Sequence, residues 1–328
     1  MNIFGKDLAV SLVDDSFIFS RLNQENPLVL PAYVAIQEGT TKVLAYGEEA
    51  KAMLGQIPRG LVIVKVLVEG VIIDKQLAKL LFRFGMHSVL GKRVLVGPNV
   101  YIACRVCNPP ARESIISMAI EGGARKIYMF EMGRATAIGM HLDVQEPEPK
   151  AVLSVSDDWF DFTIMSWGGI MRETYGAIGT RMFVEDIRNH CALTRKFRPE
   201  FFALLSQLRN GGVNPDAVAD MPGWGTSSGK TELGRVTERA VSRDEITIGM
   251  MPSFVRMTER IKAAIRFLPE EKQDQLKGAT IHATGTSLAI TGLAQMIADQ
   301  LGYSVTPYAA KVHPSIDGCR TLLKNGVF

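Results

Sequence analysis

Two acidic pairs dominate the chemistry on offer, Asp14-Asp15 and Asp157-Asp158. Each lies in a turn between two β-type runs. Carboxylates so placed can bind a hard cation such as Mg²⁺ or Ca²⁺. They can instead pair with cations inside the fold, or sit solvated at a turn, where Asp is favoured. Cys104-Arg-Val-Cys107 has the spacing of redox and zinc motifs. Cys191 and Cys319 stand alone and the five histidines are scattered, so buried strand-end thiols are the expectation. Thr226-Ser-Ser-Gly-Lys230-Thr231 resembles the end of a phosphate-binding loop, but Trp224 occupies the first glycine position and no strand precedes it.

The elements that must hold these residues read as α/β. Residues 7–20 form two β-runs around the first acidic turn, and 28–36 and 42–46 add extended segments. Helical signals cover 48–54, 76–84, 109–121 (opened by two prolines, closed by Gly122-Gly123), 134–140, 181–193, 201–208, 252–268 and 287–301. Residues 100–104, 126–130, 151–155, 160–166 and 280–283 read as strands. Residues 210–235, rich in Gly, Ser and Pro, read as a long loop. The acidic, proline-bearing segment 143–150 (DVQEPEPK) marks a lobe boundary.

A chain of 328 residues, 47% hydrophobic and 22% charged, has the length of two domains and an ordinary globular composition. With 37 Lys+Arg against 34 Asp+Glu the net charge is +3, and no basic run points to nucleic acid. Four cysteines make no disulfide framework and fit a reducing cytoplasm. The greasiest stretch, 61–73, is interrupted by Lys65, Glu69 and Gly70, well short of the ~20 apolar residues a membrane span requires.

Residues 11–17 (SLVDDSF) and 154–160 (SVSDDWF) resemble one another, and the element order around them repeats. Two homologous lobes, each presenting a strand–turn–strand, account for this. The chain resembles the bacterial actin homologue MreB, within the actin and sugar-kinase superfamily. The resemblance rests on residues 33–74 (containing KVLAYGEEAKAMLG and EGVIID), 119–142, MSWGGI at 165–170 and TGTSLAITGLAQMIADQLGYSV at 284–305. It implies an actin-like bilobed α/β fold, with two homologous lobes around an ATP cleft, each with a smaller subdomain. Lobe I is expected over 1–150 (small subdomain about 33–75), lobe II over 151–310 (small subdomain about 190–245), and 311–328 returns to lobe I.

The resemblance also places the phosphate turns. The family reads Asp-Leu-Gly-Thr and Asp-Ile-Gly-Gly-Gly-Thr, where glycines admit phosphate to backbone N–H groups. Here Ser11 and Ser154 align with the metal-side aspartates, and Asp14, Asp15, Ser16, Asp157, Asp158 and Trp159 replace the glycine cradles. Two like charges at 4 Å repel by about 4 kcal/mol at an effective dielectric near 20. Several such terms outweigh a micromolar affinity of about 8 kcal/mol. Met132 aligns with the water-positioning Glu and cannot act as a base, so no catalytic residue is assigned. Gly179-Thr180-Arg181-Met182 replaces the ribose-side segment, the residues flanking the base align with 202–205, and Thr284-Gly285-Thr286 keeps one glycine of the adenosine turn. New cations Arg105, Arg134 and Arg181 are expected to pair with the acidic turns, and Phe17, Trp159 and Phe160 to fill nucleotide volume. Residues 85–98, with Met86, Val89 and Leu90 near Lys92 and Arg93, align with the family's membrane-touching loop.

The expectation is a cytoplasmic, MreB-like filament subunit that assembles head to tail with itself, with ATP binding and hydrolysis weak or lost. ATP and Mg²⁺ enter only if the site is repurposed. MreB-type proteins and the inner membrane surface are further partners the resemblance implies. The alternatives are a working Mg-ATP-dependent actin-like filament involved in cell shape, and a non-polymerising scaffold on MreB or membrane.

Overall fold

The computed structural model describes residues 7–68, 70–91, 96–105, 109–190, 226–230, 236–240, 243–290, 292–309 and 312–325. The chain divides into two compact units. The first comprises Met1–Asp143 and Ala310–Phe328, the second Val144–Ala309.

In the first unit, β1 (Leu8–Val13), β2 (Ser16–Ser20) and β3 (Leu28–Pro31) form an antiparallel meander. A smaller sheet of β4 (Tyr33–Gln37), β5 (Val43–Tyr46) and β6 (Leu61–Lys65) follows, with α1 (Glu48–Ala52) packed on it and a ribbon of β7 (Leu67–Val68) and β8 (Val71–Ile72) after it. Then come α2 (Lys75–Leu90), β9 (Asn99–Cys104), α3 (Pro109–Gly122), β10 (Lys126–Glu131) and α4 (Met132–Gly139). The main sheet has the order β10-β9-β1-β2-β3, with β9 and β10 parallel to β1.

The second unit repeats the plan. Its elements are β11 (Lys150–Val155), β12 (Phe160–Ser166), β13 (Gly169–Gly176), α5 (Thr180–His190), β14 (Thr226–Lys230), β15 (Val236–Ala240), α6 (Arg243–Arg266), α7 (Glu270–Lys277), β16 (Thr280–Thr284), α8 (Leu293–Leu301) and β17 (Ser304–Pro307). Its sheet runs β17-β16-β11-β12-β13, again two antiparallel and two parallel neighbours about the first strand. The same strand order with the same senses in both units is an internal duplication, and the two acidic turns occupy corresponding places in it. The last helix, α9 (Ser315–Asn325), returns to the first unit and packs on α4.

Each unit has its own core. In the first, Phe17, Phe19 and Phe82 are fully buried, and the Phe19 and Phe82 rings sit 5.6 Å apart. In the second, Phe160, Phe162, Phe183 and Phe254 are equally buried, between the sheet and helices α5 and α6. Burying each such ring stabilises its unit by roughly 1.5–3 kcal/mol.

Several expectations are tested here. Helix α2 runs on to Leu90, so Met86 and Val89 are not loop tips: both are buried and Leu90 packs partly buried on the same core. They continue the helical stripe of Leu77, Leu81 and Phe82. Phe17 and Phe160 belong to the cores of their own units and fill no ligand space. Within the segment 210–235 expected as a long loop, Thr226–Lys230 is a strand paired with Val236–Ala240, in keeping with the rejection of a phosphate loop there. Of the expected small subdomain at 190–245, residues 191–225 (202–205 among them), 231–235 and 241–242 lie outside the described residues, as does Cys107. Among the described residues, no helix is long and apolar enough to cross a membrane.

Candidate functional site

In the second unit the acidic turn closes the β11–β12 hairpin. The ladder ends at Val155 opposite Phe160, and the Ser156 N–H donates to the Trp159 carbonyl at 2.8 Å, leaving Asp157-Asp158 as a two-residue turn. The N-terminus of α5 folds onto this turn. The Thr180 and Arg181 N–H groups donate to the Ser156 and Asp157 carbonyls at 3.2 and 2.9 Å. Helix N-termini leave such N–H groups without intrahelical partners, which is what suits them to anions; here these two are taken by the protein's own backbone.

Glycine is needed at two positions to allow the approach. A Cβ on Gly179 would stand 2.0 Å from the Ser156 oxygen, and one on Gly285, at φ +109°, 2.2 Å from the Val155 oxygen. The Gly285 turn then brings up two hydroxyls. Ser287 Oγ donates to the Ser156 carbonyl at 2.6 Å and lies 2.7 Å from Thr180 Oγ1, and Thr286 Oγ1 donates to Asp157 Oδ1 at 3.2 Å. Arg181, 68% exposed, forms an ion pair with Asp158 at 2.5 Å. Trp159 is buried and stacks on Tyr175, centroids 5.8 Å apart. The structure thus gathers Asp157, Asp158, Trp159, Gly179, Arg181, Thr284, Gly285 and Thr286 around one turn. Ser154 lies one strand step behind it, opposite Asp161 and beside Thr284.

In the first unit the β1–β2 hairpin turns at Asp14-Asp15, with Val13 opposite Ser16. Asp14 takes φ +51°, a left-handed conformation that Asp tolerates better than most residues. Ser16 Oγ donates to Asp15 Oδ1 at 3.2 Å, and the Asp15 carbonyl accepts from the Ala32 N–H. A cation from the small sheet's helix reaches the turn: Lys51 Nζ is 3.5 Å from Asp15 Oδ2 and 5.8 Å from the Tyr33 ring centroid.

Behind this turn lies a buried polar chain. Ser11 and Ser315 share a hydroxyl–hydroxyl bond of 2.5 Å, and Ser315 Oγ is 2.8 Å from His313 Nδ1, which also accepts the Ser315 N–H at 3.4 Å. Burial, with the Arg105 charge adding to it, pushes the His313 pKa down to about 4, so the ring is neutral at pH 7. Ser11 Oγ also donates to Met132 Sδ at 3.9 Å, and Met132 is itself buried at the start of α4. Cys319, on α9, donates to the Val10 carbonyl, and burial raises its thiol pKa far above the ordinary range. Ser11, expected to align with the family's metal-side aspartate, is tied through its hydroxyl to the returning helix.

Sequence reasoning missed Lys51, Ser287, His313 and Ser315. Ser287 was within reach, because it directly follows the Thr284-Gly285-Thr286 turn already singled out for its glycine. Lys51 and His313-Pro-Ser315 carry no motif, and only the fold brings them to the turns. Among the described residues no cluster of three or more His, Cys, Asp or Glu is arranged to hold a metal ion.

The comparisons with known proteins agree with this architecture. The family model described as MreB/Mbl protein matches residues 20–199. The chain is 22% identical over 327 residues to the cell shape-determining protein Mbl of Bacillus cereus, covering 98% of this chain and 97% of that protein. It is 29% identical over 202 residues to MreB of Haemophilus influenzae, covering 58% and 56%. Its fold matches the crystal structure of MreB5 of Spiroplasma citri bound to AMPPNP at a TM-score of 0.79, with 18% identity over 98% of this chain and 99% of that one. The ADP-bound form of MreB5 gives the same score. Duplicated sheets, paired hairpin turns and these matches lead to one conclusion: the chain belongs to the MreB/Mbl family.

Proposed function

We propose that the protein is a cytoskeletal subunit of the cell-shape-determining kind, which assembles into filaments without being switched by ATP hydrolysis. The observation that carries the second half is the state of the Asp157-Asp158 turn. The Ser156 and Asp157 carbonyls are engaged by the Thr180 and Arg181 N–H groups and by Ser287, and both carboxylates by Thr286 and Arg181. A polyphosphate arriving there would meet carboxylates in place of glycine N–H groups and would have to displace those bonds. Met132, buried against Ser11, offers no base for attacking water. Membership of a family whose relatives carry shape-determining names supports the first half.

A second reading is favoured by one observation. The solved MreB5 structures of this fold hold AMPPNP and ADP, and Mg²⁺ can bridge carboxylate to phosphate. A working ATPase would need that bridge. The test is assembly of the full chain with and without Mg-ATP, followed by sedimentation and electron microscopy. Filaments of equal yield in both conditions are expected. Filaments that require Mg-ATP, with phosphate release lost in Asp157→Ala, would favour the second reading.

A further inference from the structure

A cavity of about 750 Å³ opens in the first unit at the end of the main sheet where β1 begins, the opposite end of that strand from the Asp14-Asp15 turn. The 6 residues of β1, roughly 20 Å, separate the two. Its walls come from the residue before β1, the β2–β3 connection, and the C-terminal turns of α2 and α9. A space of that size suits a small-molecule ligand.

The polar groups around it divide into those the protein uses and those it leaves over. The β2–β3 connection is fixed from within: the Gln24 N–H donates to the Arg21 carbonyl at 3.3 Å, Gln24 Oε1 accepts the Arg21 N–H at 3.2 Å, and Arg320 donates to the Leu22 carbonyl at 3.2 Å. Ser88 Oγ donates to the Phe84 carbonyl. The Arg21 side chain differs. Its Nε is buried and has no hydrogen-bond partner among the described residues. Buried donors are almost always matched, so an unmatched guanidinium nitrogen in a cavity wall calls for an acceptor from outside the chain. Asp7 lines the same cavity, and among the described residues it forms no ion pair with Arg21. Leu22, Val89 and Leu323 supply apolar wall between them.

We infer that the cavity binds a short-peptide zwitterion, with the ligand's carboxylate on the Arg21 guanidinium and its ammonium on the Asp7 carboxylate. A simple anion or cation would satisfy one of the two groups and leave the other unmatched. Reach sets the size. By strand alternation Asp7 shares its face with Ala9, which packs with Ile316 and Cys319 of α9. Arg21 continues the side of β2 that carries Phe17 and Phe19, the latter against Phe82 of α2. The two charges therefore leave the sheet end toward opposite faces. A single amino acid is short for that gap, whereas two or three residues, at roughly 3.5 Å each, bridge it. The inference is independent of the filament reading.

Calorimetry of the full chain with the dipeptide Ala-Leu tests this, beside N-acetyl-Ala-Leu and Ala-Leu amide. A one-to-one isotherm is expected for Ala-Leu, and each cap, by removing one charge, should weaken binding roughly tenfold or more. In Arg21→Gln the free acid and the amide should bind alike. In Asp7→Asn the free amine and the acetylated form should bind alike. Unfolding gives a second readout. Because Arg21 Nε bonds nothing among the described residues, Arg21→Gln should not lower the denaturant midpoint. No binding at millimolar Ala-Leu, caps without effect, variants that bind as the parent does, or a lower midpoint for Arg21→Gln would each overturn the inference.

Discussion

The two acidic turns occupy corresponding positions in duplicated sheets, yet they are secured differently. The Asp157-Asp158 turn is built in by backbone: two helix N–H groups, two hydroxyls and two glycine close approaches converge on it. The Asp14-Asp15 turn is held by a cation at 3.5 Å and by its neighbour Ser16, while the strand behind it is locked through Ser11 to the returning helix. Duplication preserves strand order and register. It leaves open what a turn does, and each unit secures its acidic turn with whichever groups its own connections bring near.

The sharpest way to break this contrast is steric. Gly179→Ala would push a methyl to 2.0 Å from the Ser156 oxygen, and the cost, roughly 3 kcal/mol or more, should appear as a lower denaturant midpoint. Asp14→Gly in the other turn should move the midpoint by no more than about 1 kcal/mol, because relief at φ +51° offsets the freer unfolded chain. Equal sensitivity of the two turns would end the comparison.

The His313 chain gives the next largest effect. Its folded pKa of about 4 lies below the ordinary 6.5, so the unfolded state binds a proton first as pH falls. Stability should be unaffected by this group above pH 6.5 and decline between 6.5 and 4. The decline has a ceiling of about 3 kcal/mol. Urea titrations of parent and His313→Gln across that range check it; identical slopes would mean the ring does not titrate as described.

How much of this was legible in the sequence depends on whether the signal was local. The β1–β2 hairpin and α3 announced themselves by apolar runs around an acidic pair and by Pro-Pro and Gly-Gly punctuation. Gly85 looked like a stop for α2, but a Cβ there would stand 2.3 Å from the Phe19 ring, so the glycine serves packing and the helix continues. Pro252 looked like a helix start and lies inside α6, where the Ser253 N–H is taken up by Asp186 Oδ2 at 2.8 Å. The strands β13 and β17 and the helices α7 and α9 went unread, being short or polar and stabilised by long-range contacts. At the site, residue types at the turns were readable, while Lys51 and Ser315 depended on tertiary placement.

Two smaller effects sharpen the contrast further. Ser287→Ala removes one of two donors to the Ser156 carbonyl and should cost about 1 kcal/mol in thermal or chemical unfolding. Arg181→Gln and Lys51→Gln each break a partly exposed ion pair and should cost less than about 1 kcal/mol, fading with added salt.

Isothermal calorimetry of the purified full chain with Mg-ATP tests the central claim most directly. Saturated, acid-lined turns predict no binding at micromolar concentrations, and no gain when Arg181 or Lys51 is neutralised. A one-to-one isotherm with micromolar Kd that vanishes without Mg²⁺ would contradict the account.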